Sequence, residues 1–296
     1  MLTDIPGSLS QNLKDQLGKA LSSKVTLLDF SFVSGGCINH GGKLSTSSGD
    51  YFLKWNSAEK FPGMFVAEGK GLSILQSTQS VSVPDVILVI EEADYQCIVL
   101  EWISSARQTV QYWDRLGKQL ASLHQHNAET FGLEHNNYIG SLPQSNRQMT
   151  DWIEFFRDER ISPLTKKLVD SGQADFEFSQ QVEKVLRKLH EIFPKEKPSL
   201  IHGDLWSGNI MTDTDGHPVV IDPAVYYGHR EMELAFTQLF GGFSDRFYYS
   251  YDEAFPLAPG FENRAELYNL YPILVHANLF GGSYLMTAKR IIKHFA

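Results

Sequence analysis

Cysteine is nearly absent from this chain, with only Cys37 and Cys97 in 296 residues. Two thiols cannot staple a protein of this length, which excludes a disulfide framework and makes a reducing cytoplasm the expected setting. Long apolar runs are missing as well. The best, 86–90 and 97–100, are strand-sized and fall short of the ~18 residues that a membrane helix requires. The opening segment MLTDIPGSLSQNLKDQL carries an early Asp4 and lacks the basic start and apolar centre of a secretory signal, so it reads as an amphipathic helix. Positive charge is in the minority, 26 Lys and Arg against 35 Asp and Glu, for a net charge of −9. That sign disfavours nucleic acid and anionic membranes as partners, while a small phosphorylated ligand held by a few local donors stays compatible with it. There is no CxxC, HExxH or GxSxG motif. His124 and His126 sit two apart on a helix and point about 200° from each other, so they cannot share a metal and read as surface or packing histidines.

What is present is an ordinary globular composition, 42% hydrophobic, 12% aromatic and 21% charged, in a chain long enough for two domains or one two-lobed enzyme. Segments 25–32, 51–55, 85–90 and 96–102 are β-branched or aromatic and bounded by turn formers, which predicts strands. One helix is expected among them over 63–76, where Phe65, Leu72 and Leu75 keep a helical period despite two glycines. Helical patterns then take over at 110–127, 151–171 and 178–193. A strand pair follows at 210–212 and 219–221, joined by DTDGHP, and the tail from 232 is helical with a break near 256–260. The aromatic cluster 243–255 reads as a packed segment. The expected fold is therefore α+β and bilobal: a strand-rich N-lobe over 1–102 with one main helix, and a larger, mostly helical C-lobe over 103–296. The crossing between them falls near 101–105.

The most informative segment is LIHGDLWSGNIMTDTDGHPVVIDP, residues 200–223. Asp204 is followed five positions later by Asn209 and eighteen positions later by Asp222. Such spacing suits phosphoryl transfer: one carboxylate as base beside the attacking hydroxyl, an amide oxygen and a second carboxylate for the Mg²⁺ that bridges the phosphates of ATP. A turn with incidental polar residues is the plainer alternative. Lys54 lies inside the apolar strand YFLKW, where a charge facing inward needs a partner. Glu68 on the following helix would supply it, so that Lys54 orients the nucleotide phosphates. A solvent-facing strand lysine is the other reading. Gly35 and Gly36 lie in a turn whose backbone could approach phosphates, although a plain hairpin fits that turn equally well by itself. Glu101, Trp102 and Ile103 would offer main-chain groups to an adenine edge, or form a simple linker. Cys37 beside the two glycines is either a small buried hydrophobe or a reactive thiolate on the phosphate-binding turn. In the second case its oxidation would reversibly inhibit the enzyme, and the expected quaternary state is a monomer or a disulfide-linked homodimer.

Taken together, HGDLWSGN at 202–209, IDPAVYYGHRE at 221–231, GGCIN at 35–39, NNYIGSLPQ at 136–144 and DWIEFFRDERI at 151–161 resemble the fructosamine kinase (ketosamine-3-kinase) family. That family sits in the aminoglycoside- and choline-kinase-like branch of the protein-kinase fold, and the likeness runs over nearly the whole chain. It implies an ATP- and Mg²⁺-dependent kinase that phosphorylates the 3-hydroxyl of a free or protein-linked ketosamine, in a repair role. Position by position, it implies Asp204 as base, Asn209 and Asp222 as metal ligands, Lys54 with Glu68 as the phosphate-positioning pair, and Glu101, Trp102 and Ile103 at the adenine edge. Trp206 would wall the sugar site. The alternative acceptor is another small hydroxyl compound, such as an aminoglycoside or a choline-like amino alcohol. Where the family commonly has GDRExDLA, this chain has GHREMELA. The longer Glu233 is expected to bear on the loop that supports the catalytic segment.

Overall fold

Alternating side chains build an antiparallel sheet of five strands, β1 (Leu27–Phe32), β2 (His40–Thr46), β3 (Gly49–Ser57), β4 (Val86–Glu91) and β5 (Tyr95–Glu101), in the order β1-β2-β3-β5-β4. The computed structural model describes residues 1–33 and 39–296. Helix α1 (Gly7–Ala20) spaces Leu9, Leu13 and Leu17 at i, i+4 and i+8, all buried against a sheet face made by Phe30, Leu44, Leu53, Trp55, Cys97 and Val99. Each such leucine stabilises by about 1.5–3 kcal/mol relative to exposure. Because side chains alternate along a strand, Lys54 points away from the core that Leu53 and Trp55 enter. Helix α2 (Met64–Ser77) carries Glu68. Its glycines do not break it. Gly69 faces the sheet, where even a methyl group would stand 3.3 Å from Val89, so the missing side chain lets helix and sheet approach closely.

Strand β2 lies between the expected strands 25–32 and 51–55, where the sequence predicts none. Its residues, HGGKLST, have weak strand preference, and pairing with both β1 and β3 supplies what local propensity does not. The hairpin Ile210–Thr212 and Pro218–Val220 also belongs to the strand-rich unit, which comprises Met1–Tyr112 and Ile210–Asp222. It is tied in by Val220 N–H donating to the Ser82 carbonyl at 2.9 Å and by the Tyr112 hydroxyl donating to the Met211 carbonyl at 3.1 Å.

The second unit comprises Trp113–Asn209 and Pro223–Ala296 and is mostly helical. The expected helix over 151–171 is continuous, but Phe156–Ile161 widens into π-helical turns. Arg160 there is fully buried, its guanidinium 4.0 Å from the Tyr226 ring. The tail forms five helices, Arg230–Leu239, Asp245–Ala254, Phe261–Tyr268, Leu270–Phe280 and Ser283–Phe295. Tyr268 stacks on Phe193 at 4.0 Å in its core. Two pairings, Ser199–Ile201 with Tyr226–Gly228 and Asn137–Ile139 with Leu142–Gln144, are three residues long per strand, too short for any periodic signal.

Candidate active site

In the strand-rich unit, the Lys54 ammonium is 2.5 Å from Glu68 Oε1 and 2.7 Å from Asp222 Oδ1. The lysine and Glu68 side chains are nearly enclosed, at 8% and 11% exposure, whereas the Asp222 carboxylate is 44% exposed. Burial opposes the charge on Lys54, but the carboxylates of Asp222 and Glu68 outweigh it and hold the ammonium above the usual lysine range. Burial, with the Asp222 charge added, pushes Glu68 up against the pull of Lys54. Asp222 also adopts a left-handed backbone, φ 55°, which a non-glycine residue takes at a cost that functional sites characteristically carry. Thus the structure brings together Lys54 and its expected partner, and adds Asp222 to the same ammonium.

In the second unit the segment HGDLWSGN turns sharply after Ile201. Gly203 has φ +85°, and its α-carbon packs so tightly on the Ala224 carbonyl that no side chain fits. Asp204 is half-buried. Asn209 Nδ2 donates to Asp204 Oδ2 at 3.0 Å and to its carbonyl at 2.9 Å. Those bonds fix the amide flip, so Asn209 Oδ1 is the atom with acceptor capacity.

Glu233 lies beneath this loop. Its carboxylate accepts the backbone N–H of His202 at 3.0 Å, that of Gly203 at 2.7 Å, and pairs with His124 Nε2 at 3.0 Å. Burial raises its pKa, yet these donors prevail and hold Glu233 below the ordinary 4.5. His124 is the packing histidine the sequence suggests: it is fully buried, with Nδ1 at 2.8 Å from the Tyr251 hydroxyl. His229 accepts the Glu231 N–H on Nδ1 at 3.3 Å, capping helix Arg230–Leu239, while its Nε2 meets the Pro194 carbonyl at 3.1 Å. Both departures in GHREMELA thus have a partner. The role of Glu233 was signalled by that motif, but its contact is with backbone 30 residues earlier, which sequence spacing does not reveal.

Trp206 is 36% exposed, two residues beyond Asp204, with its indole folded over Gly208. At the end of β5, the Glu101 N–H donates to the Asp85 carbonyl at 2.9 Å and its carboxylate accepts the Asp85 N–H at 3.3 Å. The Glu101 N–H is thereby committed within the sheet, and Trp102 and Ile103 follow directly after the end of β5. Gly35, Gly36 and Cys37 lie outside the described residues. Cys97 faces the α1 core, where burial pushes its thiol up to about 12.

A family profile described as fructosamine kinase matches residues 9–296. A probable ketoamine kinase of Synechocystis is 39% identical over 285 residues, covering 96% of this chain and 95% of that protein. A chloroplastic protein-ribulosamine 3-kinase of Oryza sativa subsp. indica is 36% identical over 293 residues, 94% of this chain and 80% of that protein. Among solved structures, one from Thermobifida fusca, provisionally named a fructosamine-3-kinase, superposes with a TM-score of 0.85 at 34% identity, covering 95% of this chain and 97% of that one. An aminoglycoside phosphotransferase superposes with a TM-score of 0.61 at 17% identity, covering 97% of this chain and 99% of that one, which carries the fold alone. The architecture is that of the protein-kinase-like fold.

Proposed function

This chain belongs to the fructosamine kinase family, and from that premise we propose that it transfers the γ-phosphoryl group of ATP to the 3-hydroxyl of a ketosamine, free or attached to a protein. The near full-length likeness to a protein-ribulosamine 3-kinase carries the choice of acceptor. In this reading Asp204 takes the proton of the acceptor hydroxyl as its oxygen attacks phosphorus, and the Asn209 amide holds that carboxylate in place. Lys54, kept charged and oriented by Glu68, balances phosphate charge. Trp102 and Ile103 receive the adenine edge, and Trp206 offers its indole face to the sugar.

The expected metal ligands are individually of the kind a divalent ion takes. Asn209 Oδ1 and the part-exposed Asp222 carboxylate are hard oxygens of the kind Mg²⁺ takes, and they would hold it. When bound, the ion neutralises charge on the phosphates. The chemical purpose follows from the product. A phosphate at C3 stands next to the C2 carbonyl, so enolisation toward C1 lets it leave by elimination and loosens the sugar from its amine. Such an enzyme serves repair, and a cytoplasmic location belongs to the same proposal.

The test is ATP turnover across ribulosamines, fructosamines, choline and an aminoglycoside. Higher kcat/KM for a ketosamine than for the other acceptors is expected. Preference for choline or the aminoglycoside would overturn the assignment.

A further inference from the structure

Trp206 begins a row of rings that runs away from the catalytic loop within the helical unit. Its indole meets Phe240 edge-on at 6.0 Å, Phe240 meets His276 at 5.0 Å, and His276 meets Phe280 at 5.7 Å and Tyr284 at 4.9 Å. Trp206, Phe240 and Phe280 are 36%, 39% and 56% exposed. Single exposed aromatics are ordinary on a protein surface, but a contiguous row is what binding surfaces present.

The row is built onto the catalytic loop. The indole of Trp206 occupies the place where a side chain on Gly208 would begin. Gly242, two residues beyond Phe240, lies so close to the loop that an added Cβ would stand 2.6 Å from the Ser207 Cβ. The Phe240 segment and the loop bearing Asp204 therefore form one surface. Electrostatics adds a second constraint. His276 Nδ1 is 2.7 Å from the Pro272 carbonyl and donates to it, which fixes the tautomer and makes Nε2 an acceptor. Burial lowers the His276 pKa below 6.5, so the imidazole is neutral at physiological pH and does not repel a cation. Ring faces in this row attract a cation and also cover hydrocarbon.

A ketosamine has a matching second half. Its nitrogen, on C1, is a secondary ammonium a few bonds from the reacting oxygen on C3, and it carries the substituent of the original amine. We propose that the row is the subsite for this amine half, with the ammonium against Trp206 and Phe240 and an alkyl substituent, such as a lysyl side chain, running along Phe240 to Phe280. The inference rests on the ketosamine reading above and adds what sets preference among ketosamines: a long alkylamine is bound along the row, and a short one is not.

The experiment compares wild type, Phe240→Ala and Phe280→Ala on two acceptors with the same sugar, Nα-acetyl-Nε-ribulosyl-lysine and ribulosyl-methylamine. Phe280→Ala should lower kcat/KM for the lysine conjugate about fivefold, through KM, a factor equivalent to about 1 kcal/mol. It should leave the methylamine conjugate within about twofold of wild type, since the short substituent does not reach that ring. Phe240→Ala should weaken both. KM for ATP and the melting temperature serve as controls, because both rings are exposed. Equal losses on both acceptors for Phe280→Ala, or no loss for either variant, would overturn the subsite. If wild type phosphorylates neither conjugate, it is the ketosamine reading itself that fails.

Discussion

The Glu233 carboxylate accepts the backbone N–H of Gly203 at 2.7 Å, one residue before Asp204. A buried main-chain donor left unpaired costs about 1–3 kcal/mol, and the loop bearing Asp204 has two such donors, His202 and Gly203, that end on this one side chain. Glu233→Gln keeps the shape but offers one oxygen where two accept. We expect kcat to fall about tenfold or more with KM for ATP little changed, because the loop and not the nucleotide contact is disturbed. Steady-state kinetics with both substrates varied would check this, and an unchanged kcat would remove Glu233 from the positioning of the loop.

The same carboxylate predicts a pH dependence of stability. Its folded pKa lies below the ordinary 4.5, so its contribution is complete above about pH 4.5 and is lost as pH falls through the lower folded value. Denaturant unfolding of wild type and Glu233→Gln should therefore differ most at neutral pH, with the difference shrinking below pH 4.5. A gap that stays constant into acid would contradict the pairing.

Lys54→Met should cost both function and stability. It removes the ammonium that Glu68 and Asp222 share, and breaking a buried pair by deleting one partner costs about 3–5 kcal/mol. Turnover should drop by about 100-fold, with a higher KM for ATP. Lys54→Met combined with Glu68→Gln should regain part of the melting temperature without regaining turnover, which separates the structural role from the phosphate role.

Gly208→Ala tests the seat of Trp206. The added methyl would occupy the position of the indole, so the ring must swing away. KM for a ketosamine should rise about tenfold while KM for ATP stays put. Tryptophan fluorescence read alongside would report the displaced ring, and a KM shift confined to ATP would contradict the sugar-wall role of Trp206.

How much of this was legible depended on how local the physics is. A lysine inside YFLKW needs a counter-charge, and Glu68 is reachable from it, so the pair could be read directly. Asp204 and Asn209 are five residues apart on one loop and meet there. The left-handed Asp222 and its bond to Lys54 span 168 residues, and no spacing rule connects them. Strand β2 escaped because HGGKLST is held by its two neighbours and not by its own preference. The glycines of α2 looked like weakness because a sequence shows what glycine lacks and not what comes close to it, here Val89. His124 could be dismissed as a metal ligand on helical geometry, but its place under Glu233 depends on a helix more than a hundred residues later.

We propose above all that Asp204 takes a proton from the 3-hydroxyl of a ketosamine as phosphate is transferred from ATP. The most direct measurement is phosphorus and proton NMR of a ribulosamine incubated with ATP, Mg²⁺ and either wild type or Asp204→Asn. For wild type, a single phosphate ester coupled to the proton on C3 is predicted. For the variant, the same ester should form about 10²–10⁴-fold more slowly while ATP still binds, as expected when a general base is lost. Phosphate on a different carbon, or wild-type rates from Asp204→Asn, would contradict the account.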